Sequence, residues 1–441
     1  MKRLTTRLAA APPGAFAAYA VLAAFSAYFC MYAFRKPFAA GRYDGPGLFG
    51  SGVELKTALV IGQLLGYTLS KYLGIRVVSE ARAATRGRWL VGLVAAAELS
   101  LVLFALLPRD AGPLALFLNG LPLGMVWGLV VAPLEGRRLS DLLLVGLSLS
   151  FIVASGVVKD VGRALMSAGV PEPWMPAATG ALFFVPFVLA TLALQALPPP
   201  SAADEAARLR RAPMDRAARW AFLRRFGPGL LPLFALYVLF TAYRDFRDNY
   251  GVELFQELGY AEEPALFTQT ELPVALGVLV ALAALNLVPG RRAGLVAAYA
   301  VMFAGTGLLA GATGLREAGV VSGAGWMVLT GLGSYLVYVP FNAVLFERLI
   351  AFVGVPATAV FAIYVADALG YTGSVALQLG KDLGASDATR LAFFDRFTGL
   401  AAAAGALGLA GSLAFFLRTG PAPGPERGSE PEPGQSSSPG D

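Results

Sequence analysis

The chain has 441 residues, 56% of them hydrophobic, and its 51 glycines bring the apolar share to about two thirds, against roughly 45–50% in soluble domains. That composition excludes an ordinary soluble protein. Cysteine occurs once, as Cys30, and histidine is absent, which excludes disulfides, thiolate and histidine metal sites, and Ser/His or Cys/His catalysis. The expectation is an all-α membrane protein with no cofactor, no metal and no enzymatic activity. The formal charge of +6 reads first as a topology signal rather than as a sign of nucleic acid.

Apolar segments of membrane-spanning length fall at 15–38, 55–78, 89–107, 113–134, 141–165, 175–197, 228–250, 264–288, 294–312, 324–346, 356–380 and 395–417. The stretch after Met1-Lys2-Arg3 runs on through Phe34 without a cleavage signal, so it reads as the first span. The pattern predicts a six-helix bundle over 1–197, a basic linker over 198–226, a second bundle over 227–417 and a disordered tail over 418–441.

The linker carries Arg208, Arg210, Arg211, Arg216, Arg219, Arg224 and Arg225 and is expected in the cytoplasm. Arg82, Arg86, Arg88, Arg137, Arg138, Arg291, Arg292 and Arg348 fall on the same side, which also places both termini inside.

Ala33-Phe34-Arg35 in the first span recurs as Ala242-Tyr243-Arg244 in the seventh, a short signal whose position, in the first helix of each half, supports a parallel repeat of two bundles. Polar residues inside the spans come at helical spacing. The first span carries Tyr28, Tyr32, Arg35 and Lys36; the second, Gln63, Tyr67, Ser70 and Lys71; the seventh, Tyr237, Thr241, Arg244 and Asp248. The eleventh carries Tyr364, Asp367, Tyr371, Ser374 and Gln378, the eighth Glu271, and the tenth Tyr335, Tyr338 and Asn342.

Ionisable groups at bilayer depth cost a few kcal/mol each and normally face a partner or a cavity. Arg35, Lys36, Lys71 and Arg244 outnumber Asp248, Glu271 and Asp367, and two guanidiniums on facing helices suit an oxyanion. The partners expected are thus a small anion and the lipid bilayer, with no nucleic acid, for a monomeric chain. Lys36, Lys56 and Arg247 stand near span ends, where a long cation can instead reach the headgroups, Arg247 at the outer rim. Arg35 lies about 30 Å along its span from Gly14 if the helix is continuous, which puts it near the outer surface. Asp367 reads either as a proton carrier or as the partner of a lysine.

Tyr32-Ala33-Phe34-Arg35-Lys36-Pro37-Phe38 resembles the Tyr-x-x-Arg-Lys-Asn-Phe signature of the organophosphate:phosphate antiporters, a branch of the major facilitator superfamily that includes glycerol-3-phosphate and hexose-phosphate transporters. Further matches follow in order: Ser70-Lys71-Tyr72 with Ser79-Glu80, Asn119-Gly120 with Gly124 and Trp127, Arg244 with Asp248-Asn249-Tyr250, Glu271, Tyr338-Val339-Pro340, and Gly370-Tyr371-Thr372-Gly373.

The resemblance spans about 15–417 and implies a bacterial inner-membrane transporter working by alternating access, with Arg35 and Arg244 as phosphate clamp. Lys36 and Lys71 would be secondary cations, and Glu271 with Asp248 or Asn249 their switching ion-pair partners. The chain departs from the pattern at Pro37, Leu123 and Tyr250 and has no cavity histidine, and Lys159, Asp160, Arg163 and Asp367 have no counterpart in it. Because the branch also contains transporter-like sensors, a non-transporting receptor is the alternative.

Overall fold

The structure, a computed structural model, describes residues 2–80, 83–202, 204, 216–261, 263, 265–285, 287–354, 359–383 and 389–420. Among these, fifteen α-helices follow in chain order: α1 (Lys2–Ala9), α2 (Pro13–Tyr32), α3 (Leu55–Glu80), α4 (Arg86–Leu106), α5 (Gly112–Val131), α6 (Ser140–Ser167), α7 (Met175–Gln195), α8 (Arg216–Asn249), α9 (Gly251–Glu257), α10 (Leu266–Leu285), α11 (Arg291–Glu317), α12 (Gly323–Pro340), α13 (Phe346–Val353), α14 (Ala359–Leu383) and α15 (Arg390–Thr419).

Ten helical stretches among the described residues are long and apolar enough to cross a bilayer. Two further long helices, α3 and α14, carry the polar positions Lys56, Gln63, Lys71 and Asp367. The expected arginines at 82, 208, 210 and 211 and the tail beyond Gly420 lie outside the described residues.

The helix surfaces are apolar on the outside as well as inside. Leu99, Val185, Leu231, Val280 and Leu407 are between 65% and 76% exposed, surface that water would not tolerate in such quantity and lipid does. Inside, Ala20, Met31, Leu59, Val94, Leu116 and Phe187 belong to one core, and Leu230, Tyr243, Val274, Tyr299, Trp326 and Phe394 to a second. The halves meet along α6 with α10 and α3 with α14.

Within the first half, α3 and α5 pack backbone against backbone. A Cβ added at Gly120 would lie 2.3 Å from the Gln63 carbonyl oxygen, so only glycine permits this approach. The closeness lets Asn119 reach its partners: Gln63 Nε2 donates to Asn119 Oδ1 at 2.8 Å, while Asn119 Nδ2 donates to the carbonyls of Phe34 and Ala97, each at 3.0 Å.

Those bonds repair a helix that stops early. The first span was expected to stay helical through Arg35 and Lys36, but α2 ends at Tyr32. Pro37 has no backbone N–H to continue the helix, and a short 3₁₀ turn, Pro37–Ala40, follows Lys36 (φ −106°, ψ −17°). The carbonyls freed by the break would be costly in an apolar interior. Asn119 satisfies Phe34, and Gln63 Nε2 satisfies Arg35 at 2.8 Å.

A second irregularity follows Pro340. Phe341–Leu345 forms a π-helical segment between α12 and α13, and it contains Asn342.

Candidate functional site

Where α2 breaks, Arg35 turns back along the bundle. Its guanidinium stacks over the Tyr67 ring with 4.0 Å to the centroid, and over Tyr32 at 5.8 Å. Tyr67 stands twelve residues into α3, about 18 Å from its start, so the charge sits near the middle of that helix rather than at its end. A continuous helix would have carried Arg35 to the surface. The break is what brings it inward.

Arg244, from α8 in the other half, is arranged similarly. Its guanidinium lies 4.3 Å from the centroid of Tyr338, and Nη2 contacts Asp245 Oδ1 at 2.8 Å. Asp245 in turn accepts from Ser374 Oγ at 2.8 Å. Buried Tyr32 is within electrostatic reach of both Arg35 and Arg244, and of Asp248.

Lys71 and Asp367 join α3 to α14 across the halves at 2.7 Å. Tyr237 donates to the other oxygen of Asp367, its hydroxyl lies 3.2 Å from that of Tyr338, and Asn342 Nδ2 donates to it at 3.2 Å. Asp367 thus has a lysine partner, as one of its two expected roles requires. Tyr32, Arg35, Tyr67 and Lys71 thus face Arg244, Tyr338, Asn342 and Asp367 in one polar layer. The side chains of Tyr364, Tyr371 and Gln378 lie outside the described residues.

A second polar layer closes one end of the bundle, where α2 stops and α3 begins. Lys36 Nζ meets Asp248 Oδ2 at 2.5 Å and donates to Asn249 Oδ1 at 2.9 Å. Lys159 takes Asp248 Oδ1 at 2.7 Å, and Ser155 donates to the same oxygen. Lys56 is gripped by both oxygens of Glu253, at 2.6 and 2.9 Å, and Thr57 and Tyr250 share a 2.8 Å hydrogen bond.

Asp160 adds a clasp by accepting from Thr268 N at 2.7 Å and Thr268 Oγ1 at 2.6 Å in the first turn of α10, where a carboxylate suits the free N–H groups. Arg163 donates to the carbonyls of Ala261 and Glu263 just before it. Four of the five ion pairs that link the halves among the described residues lie at this end; the fifth is Lys71–Asp367.

Three expectations are corrected. Arg247 was placed at the outer rim, but it is 4% exposed and pairs with Glu271 at 2.6 Å, its other nitrogen donating to the Met327 carbonyl at 2.8 Å. The protein interior continues past residue 250 into α9, so a position near the expected span end is covered. Glu271 accordingly serves Arg247 and not the clamp or the secondary cations. Lys36 and Lys56 do not reach for headgroups, because buried carboxylates from the other half meet them first.

Asp245 and Glu253 escaped the sequence reading. Asp245 directly follows Arg244 and so falls off a stripe read at spacings of three and four, and Glu253 lies beyond the expected span.

Seven buried or half-buried cations (Arg35, Lys36, Lys56, Lys71, Lys159, Arg244, Arg247) are set against five carboxylates (Asp245, Asp248, Glu253, Glu271, Asp367) in the two layers and beside them among the described residues, an excess of two positive charges.

The sequence matches a family described as a family of unknown function, DUF5690, over residues 37–419, and the chain belongs to that family. A search of curated proteins gives no match. Among solved structures, the chain is similar to a D-xylose–proton symporter, with 14% identity, TM-score 0.61, and coverage of 92% of this chain and 97% of that one. It is also similar to the nucleoside transporter NupG, with 14% identity, TM-score 0.59, and coverage of 91% and 98%. A POT family transporter follows with 13% identity, TM-score 0.58, and coverage of 91% and 96%. At these identities the likeness shows the fold alone, which this chain shares with those transporters.

Proposed function

We propose that this DUF5690 family member is a secondary transporter of a small organic anion, a phosphate ester, phosphate or carboxylate, exchanged for inorganic phosphate by alternating access. Twelve spans in two six-helix halves carry it, with both termini in the cytoplasm of a bacterial inner membrane. The end sealed by Lys36–Asp248 and Lys56–Glu253 is then the external one, because basic connections cluster at the other.

The observation that carries this reading is the pair Arg35 and Arg244, one from each half and each over a tyrosine ring, in a layer where Arg35, Lys71 and Arg244 outnumber Asp245 and Asp367. Each guanidinium is backed by an aromatic ring that orients its donor fork, and a fork matches phosphate or carboxylate oxygens two at a time. Because the arginines come from different halves, an anion held by both draws the halves together. The transporter fold of the structural neighbours, a D-xylose–proton symporter, a nucleoside transporter and a POT family transporter in complex with a peptide conjugate, supports transport as the use of that site.

A melting-temperature screen of purified protein against inorganic phosphate, glycerol phosphates, sugar phosphates and dicarboxylates tests it. At least one should raise Tm, since a ligand that binds only the folded state stabilises it by mass action. The shift should vanish in Arg35→Ala and in Arg244→Ala. A ligand that protects both variants as well as wild type contradicts the clamp.

A further inference from the structure

Glu98 lies in the interior of α4, outside both polar layers. Its Oε2 is buried with no hydrogen-bond partner, and none of the ion pairs among the described residues includes it. The helices packed most extensively against α4 are α5 and α7, and neither contains an acidic or basic residue, a tyrosine or a cysteine. Phe34, which shares the Gly180 seat with Glu98, opens the turn after α2, whose Arg35 is engaged over Tyr67 and whose Lys36 is engaged with Asp248.

Although Glu98 as a residue is only half-buried, nothing among the described residues compensates Oε2 for the hydration that a charged carboxylate would lose there, which favours the neutral acid. The packing is also specific. A Cβ added at Gly180 of α7 would stand 2.1 Å from Oε2 and 3.0 Å from the Phe34 ring, so the carboxyl and Phe34 both rest on that glycine. Asn119 ties the same two neighbours together through the carbonyls of Phe34 and Ala97.

We infer that Glu98 is a proton-binding site in the first half, and that its protonation state sets the position of the Phe34–Lys36 turn that carries Arg35. With the proton bound, the carboxyl sits over Gly180 and the turn is held as seen. When the proton leaves, the charged group no longer fits its unpartnered seat against Gly180 and Phe34, and the Asn119 strap passes the displacement to the turn. The proton site stands independently of the anion reading; its effect on Arg35 is what links the two.

Both parts can be tested without any anion. Dicyclohexylcarbodiimide partitions into bilayers and reacts with protonated carboxyl groups: the acid oxygen bonds to the carbodiimide carbon, the proton goes to nitrogen, and the adduct rearranges to an N-acylurea with no atoms lost. Full-length protein in phosphatidylcholine vesicles is treated at pH 6 and pH 9 and mapped by peptide mass spectrometry. Glu98 should be labelled, at least fivefold more at pH 6. No label at Glu98, or equal labelling at both values, overturns the proton site.

For the turn, the readout is the N-ethylmaleimide reaction rate of Cys30, the only cysteine, four residues before Phe34. Wild type and Glu98→Gln, whose amide imitates the neutral acid, should react alike at pH 6, and at pH 8.5 wild type should react severalfold faster than Glu98→Gln, the variant correcting for the rise in thiolate with pH. Equal rates of the two proteins at both pH values overturn the coupling. Thermal unfolding at pH 6 with the same Tm in both proteins establishes that Glu98→Gln is folded, and a shift of the anion-screen results with Glu98 labelling intact would count against the clamp alone.

Discussion

Lys36 in the first half and Asp248 in the second approach to 2.5 Å, and Lys159 holds the other oxygen of the same carboxylate at 2.7 Å. One anion is thus shared by two cations from separate segments, and all three groups are largely buried. Removing the shared member strands two buried positive charges. Asp248→Asn should therefore destabilise the protein by about 3–5 kcal/mol, read as a drop in Tm in detergent. The triple replacement Lys36→Met, Lys159→Met and Asp248→Leu should recover most of that loss, since no charge is then left unpaired. A triple variant as unstable as the single one would show that the layer depends on its charges for more than mutual neutralisation.

The clamp makes a prediction about chemistry beyond charge. Arg35→Lys and Arg244→Lys keep the positive charge but lose the planar fork and its fit to an aromatic face. Each should weaken anion binding by about 1.5–3 kcal/mol, roughly 10- to 150-fold, in calorimetric titration with the anion that gives the largest thermal shift. Wild-type affinity in both lysine variants would reduce the site to a non-directional positive field.

Asp367 competes with any anion for Lys71, which it holds at 2.7 Å. Neutralising it releases Lys71 while keeping an acceptor for Tyr237. Asp367→Asn should bind the anion about tenfold more tightly, measured in the same titration, and should release it more slowly. Unchanged affinity would assign Lys71–Asp367 to cross-half packing alone.

The broken end of α2 depends on Asn119 and on the approach that Gly120 allows. Asn119→Ala leaves the Phe34 and Ala97 carbonyls without their donor, at a cost of about 1–3 kcal/mol. Gly120→Ala forces α3 and α5 apart at the Gln63 carbonyl and should cost about 1–3 kcal/mol. Fluorescence-detected size exclusion after graded heating reads both. Because Phe34 adjoins Arg35, Asn119→Ala should also weaken anion binding, whereas a purely structural role would lower Tm and leave affinity intact.

The positions of the helices were legible because apolar runs of membrane length leave the chain little choice. The polar stripes were legible too, since Lys71, Arg244, Tyr338 and Asn342 keep helical spacing. What the stripes could not show was the end of α2 at Tyr32. A stripe presumes an unbroken helix, and it placed Arg35 some 30 Å out, whereas the turn before Pro37 sends the side chain back over Tyr67.

Partner choice was equally hidden. Arg247 finds Glu271, Lys56 finds Glu253 and Lys159 finds Asp248 through contacts between residues 24 to 197 positions apart in the chain. No local pattern encodes such distances. Asn119 is the instructive intermediate: its motif was visible, but its work, repairing the backbone beside Arg35, follows only from three-dimensional packing.

The central claim is that an anion held between Arg35 and Arg244 crosses the membrane. Proteoliposomes loaded with inorganic phosphate and given labelled phosphate, phosphate esters or carboxylates outside measure this directly. Wild-type protein should exchange at least one of these anions, and Arg35→Ala and Arg244→Ala should show only the background of empty vesicles. Binding without exchange of any of them, with protein inserted in both orientations, would contradict transport and identify the site as that of a sensor.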